Sequence, residues 1–281
     1  SSTVTGLFAL GVLMVLAAGG IDVSFTAIAV LCLYAITKAV LAYWPNAPFV
    51  LILACGAVMG ALLGACNGYL VHRLKAPSLI VTIGTQYLLR GFLLTFVGTL
   101  FFTVLPPRMD NFGRIALISI TTASGTTAML PASVLIFLAA AVLTWFLLER
   151  TLMGRAIYAM GGSLAIAERL GYKLRVVHVF VFAYVGLLAG VGGIVHASTI
   201  RVASPFDLVG TELDVIAAVI LGGARITGGS GSVIGTLLGV ILVTLINNVM
   251  ILAGVPSTWQ KVVIGAFILI AGGLFATRKK K

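Results

Sequence analysis

The chain alternates between long apolar runs and short polar connections. A transmembrane helix needs about 20 predominantly apolar residues to cross the hydrocarbon core of a bilayer. Runs close to this length cover residues 4–19, 23–43, 48–71, 79–102, 130–148, 176–198, 232–254 and 258–276. A further run, 213–223, is shorter and is typical of a half-helix or re-entrant segment. The pattern predicts an all-α, polytopic transmembrane bundle in which residues 1–281 form a single domain.

Basic residues indicate which connections face the cytoplasm. Placing the three cationic segments His72–Lys75, Arg150–Arg175 and Arg278–Lys281 on that side satisfies the positive-inside rule. The number of crossings between any two of them must then be even, so the run 213–223 has to count as a crossing. This parity predicts nine crossings with residue 1 outside. The polar start of the chain, which lacks the charged beginning of a signal peptide, favours one further span before residue 1.

Composition narrows the class of protein. Of the 281 residues, 60% are hydrophobic and only 9% are charged, whereas a soluble domain carries about 25% charged residues. The net charge of +11 lies in short clusters beside apolar runs, which indicates contact with membrane lipid rather than with nucleic acid. Cys32, Cys55 and Cys66 lie in apolar stretches without a CxxC pair, so we interpret them as inert small hydrophobic residues.

The sequence offers little support for an enzyme. It contains no GxxxxGK[ST] phosphate loop, so the chain is not expected to bind ATP itself. The glycine-rich segment 228–235 has the wrong spacing for a dinucleotide loop and is interpreted as a membrane turn. His72, His178 and His196 lie on different elements without a carboxylate or cysteine at metal-ligand spacing. We therefore expect neither a metal site nor a cofactor bound by this chain.

Asp22, in the stretch GGIDVS, is the only charged residue between Ser1 and Lys38. An ionised carboxylate at the bilayer centre costs roughly 2.5 to 3.5 kcal/mol, so Asp22 has to lie at an edge, face a polar cavity or cap a helix. Asp214 likewise precedes an apolar helix, as expected for an inverted repeat. Both acids are predicted to be helix N-caps that also line or gate a central path. The alternative is that they only cap their helices.

Uncharged polar side chains within the apolar runs are candidates for contact with a polar solute. They are Asn67, Thr82, Thr85, Gln86, Asn247 and Asn248. Each could instead hold neighbouring helices together by hydrogen bonds. Arg90, near the middle of the run 79–102, is predicted either to end a broken helix or to pair with an acid across the bundle.

Glycine recurs at every fourth residue from Gly56 to Gly68, and the same spacing separates Gly186 from Gly190 and Gly235 from Gly239. Small residues at this spacing clear one face of a helix and let a neighbouring backbone approach closely. The spacing predicts tight helix packing, with a direct role in gating as the alternative.

The segment 154–175 is longer than a simple connection requires. Ser163 can cap a helix over residues 164–170, and Gly171 can end it. Glu168 and Arg169 would then point to water. Because so short a helix is not stable alone, it is predicted to dock on another surface. A solvated loop fixed to its own bundle is the alternative.

Three segments in chain order resemble the permease subunits of bacterial ABC importers for sugars, in the ribose, arabinose, xylose and autoinducer-2 group. They are GGIDVS, GRAIYAMGGSLAIAERLGYK and ELDVIAAVILGGARITGGSGSVIGTLLG. The resemblance covers nearly the whole chain and implies a ten-helix permease of the bacterial cytoplasmic membrane that imports a sugar or sugar-like solute. The implied partners are a two-domain ABC ATPase that uses ATP and Mg, a periplasmic sugar-binding protein, and a second permease copy or a sister permease.

The family's cytoplasmic coupling segment carries over to this chain residue by residue. It falls on Gly154, Arg155, Gly161, Gly162, Ala165, Ala167, Glu168, Arg169 and Gly171. The spacing from Ala165 to Gly171 follows the family's glycine signature, but the leading acid is absent and Glu168 lies elsewhere in the helix. The resemblance implies a mechanical role, in which closure of the ATPase dimer pushes this helix and moves the adjoining spans.

Charged residues in the predicted external loops form a rim. They are Arg108, Asp110, Arg114, Arg201, Asp207 and Glu212. Complementary charge would let this rim dock the binding protein. Ordinary solvated loops are the alternative.

Other classes of membrane protein remain open at this point. An ion-coupled secondary transporter of a small polar solute would also explain charges inside the bundle. A membrane-embedded enzyme is less consistent, because the spans carry no pair of titratable groups at catalytic spacing. Among importers, a permease for branched-chain amino acids is the nearest relative to exclude, and GGIDVS favours the sugar branch.

Overall fold

A computed structural model describes residues 2–121 and 127–256 together with positions 259, 262, 263, 265 and 266. Within these residues the chain forms helices joined by short loops, as expected where the backbone must satisfy its own hydrogen bonds in lipid. The helices are α1 Ser2–Ala17, α2 Phe25–Tyr43, α3 Phe49–Leu74, α4 Ser78–Phe92, α5 Pro107–Arg114, α6 Ser133–Arg150, α7 Leu152–Gly162, α8 Leu164–Arg169, α9 Leu174–Ile200, α10 Glu212–Leu221 and α11 Val233–Leu252. A π-helical turn, Leu93–Val97, extends α4.

Six of the described helices are long and apolar enough to cross a membrane. They are α2, α3, α4 with its π-helical turn, α6, α9 and α11. The 16 residues of α1 are apolar but fall short of that length. This confirms an all-α, polytopic membrane protein. The predicted run 258–276 lies almost entirely outside the described residues.

The core of the bundle is built around α1 and α9. Residues 6–17 of α1 are buried throughout, because this helix is apolar on every side and is surrounded by other helices. The longer α9 packs against α1, α2 and α3. The outer faces of α3, α4, α6 and α11 instead expose many large apolar side chains, as expected of surfaces in contact with lipid.

The glycine positions of α3 and α9 form a seam along which the two backbones touch. A Cβ atom at Gly60 would overlap the carbonyl oxygen of Gly186, and one at Gly64 would overlap that of Phe182. The pair Gly235 and Gly239 brings α11 onto α10 in the same manner. The prediction of tight packing is therefore confirmed for these glycines.

The bundle has two ends that are easily distinguished. At one end, which we call the α7 end, α7 and α8 lie beside the α3–α4 connection and the turn after α10. At the other, the α5 end, α5 packs on the end of α9, and Phe102 forms a β-bridge with Ala203. The spans connect these two ends in alternation.

The helix α10 begins inside the bundle rather than at an end. After α9 the chain turns back without regular helix over 201–211, and Glu212 at the start of α10 contacts Gln86 and Arg90 of α4. At 1.5 Å per residue, these α4 positions lie about 12 to 18 Å from the first residue of that helix. The helix α10 then runs for 10 residues towards the α7 end. The run 213–223 thus forms a short helix that starts inside the bundle, and its predicted role as a crossing stays a prediction.

The hydrophobic pattern did not predict three features of the structure, which are the helix α5, a β-hairpin and the helix α7. Strands β1 Ala116–Thr121 and β2 Thr127–Pro131 pair as an antiparallel hairpin, and the predicted span 130–148 starts instead at Ser133. The helix α7 lies in a stretch for which the sequence analysis made no prediction of secondary structure. Its glycines lower helix propensity, but Thr151 caps it by accepting a hydrogen bond from the Gly154 amide.

Candidate functional site

The GGIDVS stretch breaks the helical path between α1 and α2. Gly19 has a φ of +81°, which ends α1 in the left-handed region that glycine tolerates best. The non-helical backbone that follows is hydrogen-bonded to α4, since the Ile21 amide donates to Ser78 Oγ at 2.8 Å. Thr82 Oγ1 accepts from the Val23 amide at 3.4 Å. The break is thus supported by polar side chains of a neighbouring helix, as required within a membrane.

Asp22 is buried within this break, with 1% of its surface exposed. Its Oδ1 accepts hydrogen bonds from the Ser24 amide at 2.7 Å and from Ser24 Oγ at 2.6 Å. Asn67 Nδ2 of α3 donates to the same Ser24 Oγ at 2.7 Å. Within the part of the chain that the structure describes, the other oxygen, Oδ2, has no hydrogen-bond partner.

The predicted N-cap position of Asp22 is wrong by two residues. Ser24 occupies the N-cap position of α2, and Asp22 instead closes a short turn onto the Ser24 amide. The cause is that the non-helical segment 20–23 continues further than predicted, so that α2 begins only at Phe25. Asp214 is not the N-cap of α10 either, because Thr211 holds that position and Asp214 lies in the first helical turn.

A second polar cluster lies at the start of α10. Glu212 Oε1 accepts hydrogen bonds from Thr26 Oγ1 at 2.5 Å, Gln86 Nε2 at 2.7 Å and Arg90 Nη2 at 2.7 Å. We call these four residues the Glu212 cluster. It joins α2, α4 and α10 by side chains that are up to 186 residues apart in the sequence. Opposite charges and three donors compensate the buried carboxylate, as an ion pair within a membrane bundle requires.

The Glu212 cluster corrects one prediction and confirms another. Glu212 does not belong to the external rim, because the segment 201–211 folds back and carries it into the bundle, where it is 7% exposed. Arg90 pairs with Glu212 across the bundle, which confirms one of the two interpretations that the sequence allowed for this arginine. Sequence reasoning missed the partner, since no local pattern links two residues 122 positions apart.

The predicted path residues fall into separate groups. Asp22 and Asn67 share one buried network, whereas Gln86 belongs to the Glu212 cluster. Asn247 and Asn248 lie on α11, where Asn248 is exposed. Asn247 Oδ1 is buried and has no partner among the described residues. The structure therefore brings Gln86 beside Arg90 and Glu212, but it does not gather all the candidates at one site.

The predicted coupling segment, residues 154–175, contains two consecutive helices, α7 and α8. Ser163 caps α8 by accepting a hydrogen bond from the Ile166 amide, and Gly171, with a φ of +82°, terminates it, both as predicted. Ala167 is fully buried, whereas Leu164, Ile166 and Leu170 are each more than half exposed. Ala165, Glu168 and Arg169 are also exposed. Ala167 thus packs against the bundle, and the exposed face of α8 carries both apolar and charged side chains.

The helix α7, the first helix of this segment, contacts the break between α1 and α2. A Cβ atom at Gly161 would overlap the carbonyl oxygen of Ala17, at the end of α1, and Gly228 lies against both Gly19 and Gly161. The Gly229 amide donates to Ala17 O at 2.9 Å. We call the contact of Ala17, Gly19, Gly161, Gly228 and Gly229 the glycine junction. A cavity of about 470 Å³ opens beside it.

The remaining coupling positions differ in their environments. Gly154 is buried at the corner between α6 and α7, where a Cβ atom would overlap the carbonyl oxygen of Leu148. Arg155 is exposed one residue later. Gly162 is also exposed, and an added Cβ would meet no heavy atom within 4 Å in the described structure.

Most of the predicted charged rim lies at the α5 end. Asp110 accepts hydrogen bonds from Arg201 Nε at 2.6 Å and from Arg114 Nε at 3.0 Å. The hydrogen bond from Arg201, together with the neighbouring Arg114 guanidinium, lowers the pKa of Asp110 below its ordinary value of 3.8. Asp207 lies 3.6 Å from His196, and Arg108 is exposed.

Comparison with known proteins identifies relatives along almost the whole chain. A family model described as branched-chain amino acid transport system / permease component matches residues 1–272. The autoinducer 2 import system permease protein LsrC of Yersinia pseudotuberculosis is 33% identical over 271 residues, which cover 96% of this chain and 73% of the relative. The ribose import permease protein RbsC of Haemophilus influenzae is 31% identical, covering 96% of this chain and 81% of the relative.

The ribose import permease protein RbsC of Escherichia coli K12 is 32% identical over 275 residues, which cover 96% of this chain and 81% of the relative. No solved structure matches the chain. The six apolar helices of the described structure are long enough to cross a membrane. The chain therefore belongs to this family of ABC importer permeases and is a multi-pass transport subunit of the bacterial inner membrane.

Proposed function

We propose that this chain forms the membrane path of an ATP-driven importer that passes a sugar or sugar-like solute into the cytoplasm. Its relatives are named as permeases for ribose and for autoinducer 2, which supports this class of solute. The observation that carries the mechanism is the short helix α8, which exposes apolar side chains while α7 contacts the helix break at the glycine junction. This arrangement suits a helix that receives a push from outside the bundle.

In this proposal the α7 end faces the cytoplasm, and residues 154–175 form the coupling segment. The partner is a two-domain ABC ATPase, which binds ATP and Mg. Exposed Leu164, Ile166 and Leu170 would enter a groove of that ATPase, where burial of apolar surface supplies the affinity. Closure of the ATPase dimer would then displace α8 and, through α7, the contact between Gly161 and Ala17.

The α5 end would face the periplasm and receive the sugar-binding protein. Arg108, Arg114, Arg201 and Asp207 lie there in loops or at helix ends, where charge complementarity guides association. A second permease copy or a sister permease completes the path in this proposal. The apolar outer faces of the spans contact membrane lipid.

The first prediction tests coupling through α8. We expect the double variant Ile166→Ser with Leu170→Ser to insert normally but to lose its ATPase partner. Each buried side chain contributes about 2 kcal/mol, so the affinity should fall more than about a hundredfold. The measurement is co-purification of the ATPase and ATP hydrolysis stimulated by loaded binding protein in proteoliposomes.

Leu130→Ser is the matched control for this experiment, because Leu130 is an exposed leucine at the opposite end of the molecule. It should leave the ATPase bound. Deletion of residues 165–171 should abolish coupling altogether. Normal stimulation of ATP hydrolysis in that deletion would contradict the proposed role of the segment.

The nearest alternative is an ion-coupled secondary transporter, which the buried charges of Asp22 and Glu212 would suit. The isolated chain in proteoliposomes discriminates between the two. Solute uptake driven by an imposed proton or sodium gradient, without the ATPase, would favour the alternative. Purification with natural partners, followed by mass spectrometry of the ligand on the associated binding protein, distinguishes a sugar from a branched-chain amino acid.

A further inference from the structure

We infer that Glu212, Arg90 and Gln86 form the site at which the permease recognises a neutral, hydroxyl-rich solute midway through the membrane. This inference rests on the proposed function and adds the residues that contact the solute. It also includes Thr26, which shares the same carboxylate oxygen.

The position of the Glu212 cluster suits such a contact. The chain reaches Glu212 from the α5 end without a helix, and α10 continues from Glu212 towards the α7 end. Irregular backbone within a membrane is tolerated where it is buried in protein or lines a cavity. Half-helices that begin at mid-depth are a recurring place for solute sites in transporters. Glu212 is thus at the point where two halves of a broken crossing meet.

The cluster lies at the border between the bundle interior and an uncovered face of α4. On the interior side, Thr82 is fully buried. On the outer side, Tyr87 is 72% exposed, and added Cβ atoms at Gly84 or Gly91 would meet no heavy atom within 4 Å in the described part of the chain. Arg90 and Gln86 lie on α4 between its interior side and its uncovered side, and both are partly exposed. In the proposed complex, where a second permease copy covers this face in place of lipid, a solute that passes between the two copies would come within reach of both side chains.

The chemistry of the cluster favours hydroxyl groups. Glu212 Oε1 accepts hydrogen bonds from three donors. A solute hydroxyl can therefore replace the Gln86 amide or the Thr26 hydroxyl without leaving the carboxylate unpaired. Arg90 Nε is buried and has no hydrogen-bond partner among the described residues, and rotation of the partly exposed Arg90 side chain would bring this donor to a solute oxygen. Because the charges of Arg90 and Glu212 are already paired, a charged solute would break the pair, whereas a neutral one need not.

The test measures uptake of radiolabelled D-ribose, D-arabinose and D-xylose by the complete transporter in proteoliposomes. For the sugar that the wild type transports, we expect Glu212→Gln to lower uptake by about tenfold or more, as expected on loss of hydrogen bonds to a charged group. ATP hydrolysis stimulated by loaded binding protein should stay within about twofold, because α8 is unchanged. Glu149→Gln, an exposed glutamate of α6, is the matched control and should leave both unchanged.

Two further variants separate recognition from a structural tie. Gln86→Leu removes one donor without leaving a buried charge unpaired, and it should lower uptake while the thermal unfolding temperature in detergent is retained. The exchange of Arg90→Glu with Glu212→Arg keeps an ion pair. It should restore thermal stability but not uptake.

Several results would overturn the inference. Wild-type uptake by Glu212→Gln or Gln86→Leu would show that the cluster does not contact the solute, and recovery of uptake in the charge-exchange variant would show that it only ties α10 to α4. If the wild-type complex transports neither these three sugars nor autoinducer 2 nor any sugar recovered from its binding protein, the proposed function fails and the inference fails with it. Sugar uptake by the wild type together with unaffected variants would contradict the inference alone.

Discussion

At the scale of single residues, the half-satisfied carboxylate of Asp22 gives the second prediction. Asn at this position keeps an oxygen that accepts from the Ser24 amide, so we expect Asp22→Asn to fold and to retain its unfolding temperature. Asn at this position would, however, replace the carboxylate that the other oxygen, Oδ2, offers to a polar group in the proposed path. Uptake should therefore fall more than stability, as measured in proteoliposomes and by thermal unfolding in detergent.

Asp22→Ala is the comparison for this prediction. It removes both oxygens and the turn onto Ser24, which should cost about 1 kcal/mol of stability at the start of α2. An equal loss of uptake and stability in Asp22→Asn would leave Asp22 with a structural role only.

Individual residues also show where sequence reasoning succeeds. Ser163 and Gly171 were predicted as the start and stop of α8 because capping is a local interaction within a few residues. The ion pair of Arg90 with Glu212 could be predicted only in part. The sequence indicated that Arg90 could pair with an acid across the bundle, but it did not indicate which acid. Its partner depends on how far the segment 201–211 re-enters the bundle, and no periodicity of that segment encodes this depth.

At the scale of elements, the ion pairs of Asp110 hold α5 against the end of α9. The pKa of this carboxyl is lowered in the folded protein, chiefly by the hydrogen bond from Arg201. A group with a lowered folded pKa contributes stability above its unfolded pKa, and this contribution is lost as the pH falls through the folded value. We therefore expect α5 to be held at neutral pH and to loosen only below pH 3.8.

Hydrogen exchange of the α5 amides at neutral and acidic pH measures this third prediction. Arg201→Gln removes the largest cause of the pKa shift, so α5 should loosen at a higher pH than in the wild type. Arg108→Gln alters an exposed arginine of the same helix and should leave the pH dependence unchanged. An identical pH profile for the wild type and Arg201→Gln would contradict the assignment.

Elements differ in how far the sequence determines them. Helices that span the membrane were predicted within a few residues, because lipid imposes a minimum apolar length and leaves no alternative partner for the backbone. The hairpin of β1 and β2 and the helix α5 were missed, since they lie beyond the spans, where this constraint is absent. The helix α7 was missed because its glycines weaken the local signal that its Thr151 cap supplies.

At the scale of the whole molecule, the glycine junction brings α7 against both α1 and the turn that follows α10, and Tyr158 of α7 also donates to the Gly231 carbonyl oxygen of that turn at 2.8 Å. A displacement of α8 would reach this junction through α7. From there α1 leads to the Asp22 break, and α10 leads to the Glu212 cluster. Under the proposed function, both polar sites would therefore be connected to the coupling segment through this junction, a relation that only the folded structure reveals.

The last prediction tests this connection. A Cβ atom at Gly161 would overlap the Ala17 carbonyl oxygen, so Gly161→Ala should force α7 away from α1 and misalign the junction. Since the exposed face of α8 is unchanged, we expect the variant to bind the ATPase normally but to lose about 90% or more of its solute uptake, as small misplacements in a working site can cost a hundredfold. The adjacent Gly162→Ala is the matched control, because its Cβ would enter open space and should change neither property. Co-purification of the ATPase and uptake in proteoliposomes measure the two effects. Equal uptake by the two alanine variants would mean that the push on α8 reaches the membrane path by another route.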